Sequence, residues 1–94
     1  MPTYRQNSMN PATILGGEAA IVTPADARMH ILNRVGTRVW ELCDGAGADD
    51  ASIVARLCDE FDGPPDVIAA ETRAFLAEGS RLGLLVVDDA PAAR

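Results

Sequence analysis

The apolar positions of this chain change period twice. Residues 1–11 show neither a two-residue nor a helical period and read as a flexible tail. From Ala12 short β-prone runs begin. Ala12 to Gly16 is the first, and Gly16-Gly17 is the two-residue signal of a tight hairpin. Ala19 to Thr23 is the second run. Pro24 to Ala27 then supplies turn chemistry, since Pro fixes φ and Asp26 can cap a turn. Arg28 to Leu32 is the third. Three short strands on tight turns predict an antiparallel meander, which needs a layer packed on one face.

The period then becomes helical. Asn33 is a good N-cap, and Val35, Val39, Leu42 and Cys43 form one stripe that stops at Asp44-Gly45. Asp49 or Asp50 caps a second helix with the stripe Ile53, Val54, Leu57, Cys58 and Phe61. Asp62-Gly63-Pro64-Pro65 ends it. Asp66 is expected to cap a third helix, whose stripe is Ile68, Thr72, Phe75, Leu76 and Leu82. Gly79 lies on the same face. It costs about 1 kcal/mol against Ala in a helix, which points to a close approach by a neighbour. Leu84 to Val87 suits a short returning strand, and residues 88–94 read as a second flexible tail. The order strand, strand, strand, helix, helix, helix predicts an α+β fold, a three-stranded antiparallel meander followed by three helices. It also suits a winged helix-turn-helix. The whole chain, 1–94, reads as a single domain folded over about 12–87.

Aromatic residues are only 4% of the sequence, so aliphatic packing must fill the core. The net charge is −6, and all eight basic residues are Arg. That balance repels phosphates and anionic membrane surfaces, so no nucleic acid or membrane partner is expected. No apolar run approaches the ~18–20 residues of a membrane span, and no signal peptide is evident, so the expected location is cytoplasmic.

Catalytic chemistry is sparse. His30 is the one histidine, and a metal site normally needs three or four ligands. Cys43 and Cys58 sit on core stripes, where a thiol behaves as a small apolar group. Asp49-Asp50 suits a helix N-terminus, and Asp88-Asp89 a solvated end. No CxxC pair, phosphate loop or nucleophile elbow is present. Neither an enzyme, a metal nor a cofactor is expected. Trp40 flanks the first helical stripe, as an edge-of-core residue or an exposed anchor for a partner.

Leu32-Asn33, Leu42-Cys43-Asp44-Gly45, Ile53-Val-Ala-Arg-Leu57, Asp66-Val67, Phe75-Leu76 and Leu82-Gly83-Leu84-Leu85 occur in an order and spacing that resembles the PqqD family. The resemblance covers about residues 12–87. It implies a winged helix-turn-helix-like recognition element for ribosomally made, post-translationally modified peptides. Members bind the leader segment of a precursor as a strand added to the third strand, in a groove beside the third helix. They present it to a modifying enzyme, often a radical-SAM protein. Pyrroloquinoline quinone biosynthesis is one such pathway. Arg34, Gly36, Gly79 and Ser80 depart from the family's commoner residues, which leaves the cognate peptide open.

Strand addition has a physical basis in the sequence. An edge strand offers unpaired backbone groups to an extended peptide. The expected edge is Arg28, Met29, His30, Ile31 and Leu32, with Met29 and Ile31 on one face and the other three opposite. The expected helix wall is Val67, Ile68, Glu71, Thr72 and Phe75. The apolar members suit a core equally well, and periodicity does not separate the two roles. The same edge also accepts a second copy, giving a homodimer. Two other readings share the fold. A winged-helix DNA regulator is disfavoured by Asp59 and Glu60 beside Arg56. An accessory subunit of a larger enzyme that binds no peptide fits the acidity and size equally.

Overall fold

The structure is a computed structural model that describes residues 2–88. Its elements run β1 (Thr3–Gln6), β2 (Ala12–Leu15), β3 (Glu18–Thr23), β4 (Arg28–Ile31), α1 (Arg34–Leu42), α2 (Asp50–Glu60), α3 (Pro65–Leu82) and β5 (Leu85–Asp88). The architecture is α+β and winged helix-turn-helix-like. The meander β2-β3-β4 is antiparallel. Gly16 and Gly17 both have positive φ, as a two-residue hairpin whose twist matches its strands requires. Along β3, Ala19, Ile21 and Thr23 are buried while Ala20 and Val22 face outward, so one face of the sheet carries the core.

Thr37 fastens the sheet to α1. Its Oγ1 accepts the Ala19 N–H at 2.8 Å and donates to the Leu32 carbonyl at 3.3 Å. Asn33 Oδ1 caps α1 by accepting the Gly36 N–H at 2.8 Å, and Asp49 Oδ1 caps α2 by accepting that of Ser52 at 2.8 Å. The start of α3 differs from the expectation. Pro64 is the N-cap without a side-chain bond, Pro65 opens the helix, and Asp66 lies in the first turn. Pro is well suited to the first helical position, where its missing N–H would be unpaired anyway. At the other end Gly83 is left-handed, its N–H donating to Ser80, while the Leu84 N–H donates to Gly79 at 2.9 Å. This pair of bonds closes the helix and turns the chain into β5.

Two apolar clusters meet between the layers. Val39, Cys43, Ile53, Leu57, Ile68, Leu76 and Leu85 form one, and Ala19, Ile21, Leu32 and Leu84 the other. Trp40 and Phe75 pack against both. Trp40 is therefore a half-buried seam between the clusters, and its carbonyl accepts Gln6 Nε2 at 2.8 Å. Gly79 supplies the expected close approach, since a Cβ there would lie 3.1 Å from Leu85 Cδ1.

The flexible N-terminal tail expected over residues 1–11 is corrected for its central part. Thr3–Gln6 pairs antiparallel with β5, from Thr3 opposite Asp88 to Gln6 opposite Leu85. On its other side Tyr4 exchanges backbone bonds with Ala48 at 2.8 and 3.0 Å. Asn7 and Asn10 both donate side-chain N–H groups to the Gly83 carbonyl, at 3.0 and 2.8 Å. The segment is held by backbone pairing and amide side chains, so it needs no apolar period. The tail expected over 88–94 is corrected at its first residue, since Asp88 closes β5 opposite Thr3; residues 89–94 lie outside the described residues.

Candidate peptide-binding edge

β4 is an edge strand: among the described residues it pairs only with β3. The Leu32 N–H donates to the Ala19 carbonyl at 2.8 Å. Bonded pairs alternate along an antiparallel ladder, so His30 opposite Ile21 and Arg28 opposite Thr23 also turn their backbone groups inward. Met29 and Ile31 are left with N–H and C=O groups directed away from the sheet. These two residues are 65% and 60% exposed, and their side chains share the outer face with Val22. His30 lies on the other face, half-buried, with Nε2 3.3 Å from Thr23 Oγ1. Thr23 also bonds Asp26 in the β3–β4 turn, and this bond lowers the Asp26 pKa.

Among the described residues β2 is also unpaired on its outer side, but its four residues are all exposed. β4 instead runs through Leu32 and Asn33 into the start of α1, beside α3. There Asn33, Val35, Gly36, Glu71, Ala74 and Phe75 line a cleft of about 250 Å³. α1 and α3 approach closely here, because a Cβ on Gly36 would lie 3.2 Å from the Phe75 ring. Leu32 is buried in the cluster against which Phe75 packs, and Phe75 also lines the cleft.

The expected site residues divide accordingly. Arg28, Met29, His30 and Ile31 lie on the open strand, and Leu32 continues it with its side chain in the core. Val67 and Glu71 are exposed on one face of α3, and Phe75 is half-buried at the cleft. Ile68 and Thr72 are corrected. They are 7% and 0% exposed, on the face that also buries Leu76, so no guest on this surface reaches their side chains. Asn33, Val35, Gly36 and Ala74 were missed as lining. Counting helical neighbours from Val67 (i+4, i+7) reaches Glu71 and Ala74 and separates this face from that of Ile68, Thr72 and Leu76.

Other ionisable groups serve the scaffold. Glu60 receives Arg38 Nε at 2.7 Å and Arg56 Nε at 3.0 Å, which ties α1 to α2. The bonds from Arg38, then Arg56, hold its carboxyl down at about 2. Burial pushes the Cys43 thiol up to about 12, so it is an inert core group. Among the described residues no group of three or more His, Cys, Asp or Glu is placed to hold a metal. None of their helices is long and apolar enough to cross a membrane.

The fold and site together define a small winged-helix-like protein whose sheet keeps one edge open beside a helix-lined cleft. Residues 18–85 match the family described as Coenzyme PQQ synthesis protein D (PqqD). The match spans more than half of the chain, which therefore belongs to the PqqD family. The chain also shares its fold with a solved structure, "TbiB1 in Complex with the TbiA(beta) Leader Peptide". The two are 21% identical with a TM-score of 0.76, over 87% of this chain and 94% of the other. No curated protein matches the chain by sequence.

Proposed function

We propose that this protein binds the leader segment of a ribosomally made precursor peptide along β4 and presents it to a modifying enzyme. The observation that carries the reading is the outward backbone of Met29 and Ile31, adjoining the cleft between α1 and α3. An extended guest bonds to these two residues. Its side chains then alternate. Those opposite Met29 and Ile31 join the outer face, and those opposite His30 and Leu32 point toward α3. Membership of the PqqD family and the leader peptide bound to the similar TbiB1 fold support this use.

The protein acts here as a carrier, not an enzyme, within one domain and in the cytoplasm. Its partner enzyme is of the radical-SAM or another peptide-modifying class. Arg38 and Arg56 are paired with Glu41 and Glu60, which argues against a phosphate-reading surface built on these two arginines. A second copy paired through β4 would form a homodimer that competes with the leader.

The test is a titration of the labelled leader of a precursor encoded beside this gene. A disordered leader loses ordering entropy on binding, so the expected Kd is about 1 μM or below. No binding at ~100 μM would contradict the proposal.

A further inference from the structure

We infer that Glu71 selects a basic residue in the bound leader, at the position opposite Leu32. The inference rests on the leader reading and adds to it the chemistry of one side chain. Among the described residues Glu71 is the only charged one lining the cleft. Its helical neighbours at i±3 and i±4 are Val67, Ile68, Ala74 and Phe75, none of them a cation. Among the described residues it makes no ion pair, whereas Glu78 on the same helix is bonded to Arg81.

The strand register points a guest side chain at this carboxylate. A guest residue opposite Leu32 carries its side chain on the same face as Leu32, which is buried in the cluster that Phe75 packs against. From there the side chain enters a cleft walled by Val35, Ala74 and Phe75 that carries the Glu71 carboxylate. A Lys or Arg satisfies both features. Its aliphatic stem covers the apolar wall and its charged head reaches the carboxylate. An Asp or Glu at that position meets like charge and is rejected.

The experiment selects short random peptides, displayed on their encoding mRNA, against the full chain and against Glu71→Gln and Glu71→Lys. Glu71 is exposed, so both variants are expected to keep the native circular dichroism. The wild type should enrich Lys or Arg at one position, and Glu71→Lys should enrich Asp or Glu there. For a selected Lys peptide, Glu71→Gln should weaken binding about three- to fivefold and leave the Lys→Met analogue unchanged. An equal preference for cations in the Glu71→Gln pool, or no charge preference in the wild type, overturns the role of Glu71 and leaves the leader reading standing. A wild type that enriches no peptide, or enriches peptides that bind Ile31→Pro equally well, overturns the leader reading and this inference with it.

Discussion

The backbone N–H of Leu32 donates to the carbonyl of Ala19 at 2.8 Å, and this bond decides which groups of β4 are spare. Because the ladder alternates, the neighbouring Ile31 turns its N–H outward while His30 turns its own toward β3.

Proline substitutions separate the two roles. Ile31→Pro removes an outward N–H and no ladder bond, as proline on an edge strand allows. It should lower folding stability by less than about 1 kcal/mol yet weaken leader binding about tenfold, roughly the loss of one good hydrogen bond. His30→Pro removes the N–H facing Ile21 and should destabilise the fold by about 1–3 kcal/mol. Urea denaturation and peptide titration of both variants check this.

Thr72 is completely buried, and among the described residues its Oγ1 has no hydrogen-bond partner. An orphaned buried hydroxyl costs about 1–3 kcal/mol, so the near-isosteric Thr72→Val should stabilise the fold by about 1 kcal/mol. Since this side chain faces the core and not the cleft, leader affinity should not change. A higher urea midpoint with an unaltered Kd is the expected pair of results.

Gly47 carries φ +85°, and a Cβ there would lie 2.5 Å from the Tyr4 carbonyl oxygen. Left-handed strain for a residue with a Cβ is about 1–2 kcal/mol, and the clash with backbone adds to it. Gly47→Ala should destabilise by at least about 2 kcal/mol. Hydrogen exchange should show the first loss at the Tyr4 and Gln6 amides, because Tyr4 and Gln6 bond to this loop at Ala48 and Cys43.

Glu60 gives a pH dependence of defined sign. Its folded pKa lies below its ordinary value, at about 2 against 4.5. The stabilisation it provides is complete above 4.5 and is lost as pH falls toward 2. Glu60→Gln removes that part, so wild type and variant should converge in stability between pH 5 and about 2, and added salt should narrow their gap at neutral pH. Chemical denaturation across this range measures it.

The meander and helices were legible because each has a local cause. Gly16-Gly17 dictates a hairpin, Asn33 and Asp49 cap helices, and Ile53 and Leu57, like Thr72 and Leu76, repeat at helical spacing. β1 was not legible. Thr3–Gln6 has no apolar alternation, and its partner β5 lies at the far end of the chain. The strand of the site could be read because two-residue alternation assigns Met29 and Ile31 to one face. The helix wall could be read only in part. Ile68 and Thr72 adjoin Val67 and Glu71 in sequence, but which face of α3 meets the core is decided by long-range packing against Leu85 and against Ile53 and Leu57 of α2. Asn33 and Gly36 entered the cleft because α1 and α3 come close at Phe75, a contact no local pattern encodes.

Amide exchange at β4, measured with and without a saturating precursor leader, tests the central claim most directly. Binding by strand addition predicts that the Met29 and Ile31 amides become protected, while the His30 amide, already turned toward β3, changes little. A leader that binds and leaves Met29 and Ile31 exchanging at their free rates would contradict the account.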